Sequence, residues 1–492
     1  MIRKLEKKYI ELPAQLRASF WFLVCSFLQK GITTITTPIF TRLLTTVEYG
    51  NYSVFNSWLS IVTIFVTLHL YSGIFSSGLV KFSEERSIFA SSMQGLNLTL
   101  SVGWTVVYVL FRSYWNRLLN LTTVQMLAML AMIWASSAFS FWAAEQRVDY
   151  KYRNLVLVTL LVSFFKPVVG IVFVILADDK VTARILGLTL VEIIGYTVLF
   201  ISQMSKGHVF CSKKYWKYAL RFGLPLVPHY LSQTVLNSAD RIMILNMVGA
   251  GQAGIYSIAY SISQIMKLFN SSLSNTIGPW MYQKIKEKDL KPIGGITYLA
   301  LGVVAVMNLL LIALAPELVA LFAPKAYHEA IWVVPPVAMS VYLIFMYDFF
   351  SRFEVYYEKT VFMMVASILG AALNIALNYI FIKMFGYMAA GYTTLFCYGI
   401  YVICHYLAMR RICNDYLAGA NAFEANKIVA LSLSFFALGF LMMCTYKAPL
   451  IRYSLLIIGL SFGFIKRAYL KTQIMKILKV RKRQSTPGGK TI

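Results

Sequence analysis

Apolar runs of about 20 residues recur from one end of the chain to the other, separated by short polar connections. A run of that length crosses the hydrocarbon core of a bilayer as a helix, whereas a membrane β-barrel would show short alternating segments. The pattern predicts helices over 18–41, 51–75, 89–111, 122–142, 154–177, 184–204, 222–246, 253–279, 293–315, 329–350, 361–382, 387–409, 427–446 and 450–465. The expected fold class is an all-α polytopic membrane protein of about fourteen transmembrane helices. An even number puts both termini on one side. The first segment is too long for a signal h-region and carries no cleavage pattern, so it reads as an uncleaved membrane helix.

The pattern repeats at an offset of 204 residues. Gly50-Asn51-Tyr52-Ser53 corresponds to Gly254-Ile255-Tyr256-Ser257, and the surrounding stretch 42–57 aligns with 246–261. Each copy is a helix end, a short glycine-bearing connection and the start of the next helix. Parallel repeats of this kind predict two pseudo-symmetric six-helix lobes with a substrate site between them, and leave the last two helices as an addition. The expected organisation is an N-terminal lobe over 1–204, a basic cytoplasmic linker over 205–221, a C-terminal lobe over 222–410, two further helices over 411–465 and a basic tail over 466–492.

Polar residues interrupt the apolar runs at helical spacing in the four helices of the repeat. The stripes are Ser26, Lys30, Thr33/Thr34, Thr37 and Thr41; Tyr52, Asn56, Ser60, Thr63 and Thr67; Tyr230, Gln233/Thr234, Asn237/Ser238 and Arg241; and Tyr256, Tyr260, Ser263/Gln264, Lys267, Asn270/Ser271 and Ser274. Steps of three and four put each set on one face, which in a membrane is a helix seam or a cavity lining. A cation at bilayer depth costs roughly 2.5–3.5 kcal/mol on insertion scales, so Lys30, Arg241 and Lys267 shift their stripes toward the cavity reading. Arginine holds phosphate oxygens bidentately and lysine acts as a point charge. The cavity expected here binds an anion through Lys30, Arg241 and Lys267, with Asn56, Asn237, Gln264, Asn270, Tyr256 and Tyr260 as its polar lining.

Other buried charges leave alternatives open. Lys166 is central in its segment among apolar neighbours and belongs either to the cationic cavity or to an ion pair at a seam. Glu192 is a proton carrier or a lysine's partner. Asp240 adjoins Arg241, but adjacent helix residues do not face each other; it pairs across helices or couples transport to protons or sodium. Asp348 and Arg352 are spaced for a local ion pair. His69 and His229 read as hydrogen-bonded seam residues.

Composition agrees with a membrane location: 59% of residues are hydrophobic and 13% charged, against about 25% charged in a soluble protein. The net charge of +26 could suggest nucleic acid. Its distribution says otherwise: with the N-terminus inside, 33 lysines and arginines fall on inside segments, nine on outside loops and four within spans. That bias is the positive-inside signature, and the basic stretch 466–483 is suited to anionic lipid headgroups. The six cysteines are scattered without a zinc or disulfide pattern. There is no P-loop, metal-ligand cluster or hydrolytic constellation, so an enzyme is not expected and neither is a cofactor; energy would come from a proton or sodium gradient, the substrate gradient or the membrane potential.

The stretch 221–265 resembles the seventh and eighth helices of Wzx-type oligosaccharide flippases, of the polysaccharide-transport branch of the MOP exporter superfamily. The matching elements are Leu224-Pro225-Leu226-Val227-Pro228-His229, Ala239-Asp240-Arg241 and Gly254-Ile255-Tyr256-Ser257, and 37–52 is similar to the family's first hairpin. The resemblance implies two lobes working by alternating access. The cargo it implies is an undecaprenyl-pyrophosphate-linked oligosaccharide (O-antigen, capsule or exopolysaccharide repeat unit), moved from the inner to the outer leaflet of the bacterial cytoplasmic membrane. It implies partners among polysaccharide polymerases and glycosyltransferases, and maps the family's cationic cavity onto Lys30, Arg241 and Lys267. The alternatives are a lipid II or teichoic-type precursor flippase and a multidrug/cation antiporter of the same superfamily. The antiporter branch tends to keep acids in its lobes, whereas cations dominate here.

Overall fold

A computed structural model describes residues 14–465, and among these there are helices and no strands. The basic tail expected over 466–492 lies outside the described residues. Fourteen helices of 17 residues or more correspond to the fourteen predicted segments, except that the second, expected over 51–75, ends at Thr67: α1 (Ala14–Leu43), α2 (Thr46–Thr67), α4 (Arg86–Leu110), α6 (Thr123–Val148), α7 (Tyr152–Leu176), α8 (Lys180–Gly207), α10 (Val227–Met247), α11 (Ala250–Lys286), α12 (Lys291–Ala313), α14 (Val334–Tyr356), α15 (Thr360–Phe385), α16 (Ala389–Tyr416), α17 (Ala425–Cys444) and α18 (Pro449–Ile465). Four short helices complete the set: α3 (Gly73–Lys81), α5 (Arg112–Leu119), α9 (Lys213–Gly223) and α13 (Ala315–Phe322).

Nine of the described helices are long and apolar enough to cross a membrane, which makes this a multi-pass membrane protein. Those below that threshold include α1, α2, α10 and α11, the four helices whose polar stripes lower their hydropathy. Their hydroxyls are largely satisfied within their own helices. Ser26, Thr37, Ser60, Thr63 and Thr67 each donate to the carbonyl four residues back, at 2.6–2.9 Å. Back-bonding of this kind lets a helix carry hydroxyls at membrane depth without orphaned donors.

The chain divides into two compact units, Met1–Ser238 and Ala239–Ile492. The stretch 205–221, expected as a linker, contains α9. Its Tyr215 and Ala219 are buried in the first unit with Phe75, Leu79 and Phe89. Trp216 Nε1 donates to the Ser92 carbonyl at 2.8 Å and Lys214 reaches Glu85 at 2.8 Å. The division therefore falls later, inside α10.

Within each unit the same neighbours recur, as the repeat requires. In the first, α8 packs on α7, α6 and α4; in the second, α16 packs on α15 and α14. The copies differ at one place. α11 runs unbroken for 37 residues, whereas its counterpart stops at Thr67 and resumes as α3 at Gly73. Leu68 and His69 at this break both adopt left-handed backbone, φ 49° and 53°, which costs an L-residue roughly 1–2 kcal/mol.

Candidate functional site

The first unit encloses a cavity of about 560 Å³, within the range of small-molecule sites. Each wall has a sequence reason. α1 contributes Gln29, Thr33, Thr36 and Phe40, a three- and four-residue rhythm along one face. α2 contributes Tyr52, Asn56, Ser60 and Thr63 from its predicted stripe. Its start is fixed by a capping box, Thr45 with Glu48. α8 begins with Asp179 accepting from the Thr182 amide at 3.1 Å. Lys180 donates to the Leu43 carbonyl at the end of α1, 3.1 Å away. The helix break supplies His69 and Tyr71.

Three charged side chains line this cavity: Lys166, Arg184 and Glu192. Lys166 and Glu192 form a salt bridge between α7 and α8, so the two readings left open for Lys166 are compatible: it is paired and it faces the cavity. Arg184, at the first position of the predicted helix 184–204, is one of the nine cations that the charge count assigns to the outside. Because α8 starts at Lys180, Arg184 stands one turn inside the helix, 8% exposed, with its guanidinium carbon 3.7 Å from the Phe40 ring and 3.5 Å from the Tyr52 ring. An arginine held between two aromatic faces keeps its charge in a low-dielectric place through cation–π attraction. The available signal was three aromatics, Phe40, Tyr49 and Tyr52, flanking the first hairpin.

Lys30 is placed differently. It is exposed and does not line this cavity; the lining face of α1 is that of Gln29, rotated by about 100° from Lys30. Asn237, on the part of α10 that belongs to the first unit, donates to the Gln233 carbonyl at 2.7 Å. Asn56 lines the cavity and donates to the Tyr52 carbonyl at 3.0 Å.

In the second unit, Arg241 and Lys267 meet at one ring. The Arg241 guanidinium lies 4.0 Å and the Lys267 ammonium 5.7 Å from the Tyr260 centroid. Gln264 is half-buried one turn from Tyr260, and Asn270 is a seam residue, donating to the Val341 carbonyl at 3.1 Å.

Asp240 is buried, 1% exposed, and accepts from Tyr256 at 2.7 Å, Asn378 at 2.7 Å and Thr394 at 3.0 Å. Asn374 bonds both Asn378 and Thr394 at 3.2 Å, and Thr393 donates to Asn378, so six polar residues of α10, α11, α15 and α16 share one network. The sequence reading found Tyr256 and Asp240 but not Asn374, Asn378 and Thr394, because single amides and hydroxyls in apolar helices resemble ordinary seam residues. The repeat offset carries Tyr52 onto Tyr256. The two tyrosines thus serve opposite charges, Arg184 in the first unit and Asp240 in the second.

Two further pairs, one fully buried and one with only its arginine buried, join residues far apart in sequence. His405 Nδ1 lies 2.7 Å from Glu354 Oε1, with both side chains at 1% exposure or less. Arg452 pairs with Glu317 and stacks near Tyr446 and Tyr453, joining α18 to α13. Asp348 and Arg352 form the expected pair at 2.8 Å, and both also contact Ser274 of α11.

Comparison with known proteins places this geometry. The chain is 25% identical over 292 residues to the Lsg locus putative protein 1 of Haemophilus influenzae, a match covering 55% of this chain and 66% of that protein's length. An uncharacterized membrane protein of the same organism is 19% identical over 356 residues, 69% of this chain and 83% of that one. The structure is similar to the lipid II flippase MurJ in an inward closed conformation, with a TM-score of 0.67 and 14% identity, covering 91% of this chain and 99% of that one. It is also similar to an inward-facing multidrug resistance MATE family transporter of the MOP superfamily, with a TM-score of 0.57 and 14% identity over 78% of this chain and 95% of that one. At these identities the likeness establishes the fold alone. The family model described as polysaccharide biosynthesis protein matches residues 16–285, more than half of the chain, and the protein belongs to that family.

Proposed function

We propose that this protein is a flippase for lipid-linked oligosaccharide repeat units. It moves a polyprenyl-pyrophosphate-linked saccharide from the inner to the outer leaflet of a bacterial cytoplasmic membrane by alternating access. The observation that carries this reading is the cavity of the first unit, where two cations and one acid stand among hydroxyls and amides. That mixture suits a saccharide with an anionic linkage: the hydroxyls and amides exchange hydrogen bonds with sugars, and the cations offset phosphate charge. Arg241 and Lys267 would serve the same cargo from the second unit. Asp240 is the coupling residue in this reading, binding a proton or sodium ion during the cycle. The 33-to-9 bias of lysine and arginine supports cytoplasmic termini, the basic tail would rest on anionic lipids, and the polymerase and glycosyltransferases of the same polymer are the natural partners.

The test is genetic and chemical. A cell lacking this protein should lose surface polysaccharide and accumulate the lipid-linked unit on the inner leaflet, and both defects should be reversed by the wild-type chain. Normal polymer and no accumulation would overturn the reading. A second reading, a lipid II or teichoic-type precursor flippase, is favoured by the coverage and TM-score of the MurJ likeness; it requires accumulation of that precursor instead. Raised drug resistance on overexpression with unchanged polysaccharide would favour an antiporter.

A further inference from the structure

The Lys166–Glu192 pair has a feature that a purely structural ion pair lacks. It forms part of the wall of a cavity that a second cation, Arg184, also lines. Lys166 keeps 28% of its side chain exposed while Glu192 keeps 7%. One Glu192 oxygen, Oε1, takes the lysine; the other, Oε2, is buried and has no hydrogen-bond partner among the described residues. A buried carboxylate held by a single contact is under-satisfied. Arg184 is different: its guanidinium stacks between the Phe40 and Tyr52 rings.

We propose that Lys166 and Arg184 form an oxyanion subsite and that Glu192 is its internal counter-ion, displaced from Lys166 when an anionic group of the cargo enters. Arg184 is the fixed cation and Lys166 the exchangeable one. Glu192 occupies the place of the ligand's oxygen when the cavity is empty, which keeps the lysine neutralised at membrane depth. The ligand class is a phosphate or carboxylate oxyanion. Hydroxyls and amides of Gln29, Thr33, Asn56 and Ser60 line the same space and would hold the saccharide attached to it. This inference rests on the function proposed above, in which Asp240 is the coupling residue.

The experiment is calorimetric titration of the purified full chain in detergent with inorganic pyrophosphate and, separately, with glucuronate. Glu192→Gln keeps the side chain's shape and removes the competitor, so it should bind about tenfold tighter than wild type, the size of one partly solvated charged contact. Lys166→Met should abolish binding in either background. A response to pyrophosphate alone assigns the subsite to the phosphate linkage; a response to glucuronate alone assigns it to an acidic sugar. Equal affinity of wild type and Glu192→Gln, or no binding of either probe to any form, overturns the inference. If Glu192→Gln does not fold, Glu192→Asp, which loosens the pair by one methylene, should bind tighter than wild type by a smaller factor. Calorimetry reads binding and not export, so a failed export phenotype would leave this result standing, and the reverse.

Discussion

Replacing Arg184 with lysine keeps the charge and removes the planar group that two rings enclose. The guanidinium carbon is 3.5 Å from the Tyr52 ring and 3.7 Å from the Phe40 ring, and the residue is 8% exposed. Cation–π contacts range from about 0.5–1 kcal/mol at exposed sites to about 2 kcal/mol when desolvated. Two desolvated faces give an upper bound near 4 kcal/mol, and a lysine ammonium recovers part of it, so the expected loss is about 2 kcal/mol. For a unit of this size 1 kcal/mol moves the melting temperature by roughly 2–4 °C, which predicts a fall of about 4–8 °C for Arg184→Lys. Fluorescence-detected size-exclusion after heating measures this in detergent. The control is Arg86→Lys, whose 3.1 Å pair with Asp149 is 40% exposed on the arginine side and is worth under about 1 kcal/mol. A melting temperature of Arg184→Lys within 1 °C of the control would refute the sandwich as a stabilising element.

Other outcomes follow from single close contacts. In Gly95→Ala, the new methyl would stand 1.9 Å from the Phe210 carbonyl oxygen. Overpacking of that order costs about 1–3 kcal/mol, and limited proteolysis should find the segment around Phe210 more open. Asp240→Ala strands donors from Tyr256, Asn378 and Thr394, at about 1–3 kcal/mol each. It should lower the amount of folded protein in the membrane, while Asp240→Asn keeps the amount and loses polysaccharide export. Glu354→Leu or His405→Leu alone breaks a fully buried pair and should cost about 3–5 kcal/mol. The double substitution should cost less than the sum, and a melting double-mutant cycle with zero coupling would count against the pair.

The helical periodicity of the chain was enough to place all fourteen long helices, because runs of apolar residues at membrane length have few other meanings. The repeat was legible through Tyr52 and Tyr256, and the structure gives both tyrosines buried or cavity-facing roles. Side-chain placement was harder. Lys30 and Gln29 differ by one residue and therefore by about 100° around α1, and a stripe of alternating threonines fits either face. Arg184 looked like a loop cation because its burial depends on Phe40 and Tyr52, more than 130 positions away in sequence. Glu354 and His405 are 51 residues apart, and nothing local marks them as partners. Periodicity reports which residues share a face; it does not report what stands opposite.

The interruption of the second helix at Leu68–Ser72 gives the two copies different mechanics. A continuous helix resists bending because each degree of bend stretches hydrogen bonds on its convex side. At residues 68–72 the ladder is already interrupted, so a bend there would break fewer helical bonds than a bend of the unbroken α11 at the same register. The duplicated rod has become a jointed lever in one copy and a stiff strut in the other, and the joint carries His69 and Tyr71, two of the cavity's own walls. Any swing of that lever changes the volume of the chamber it borders.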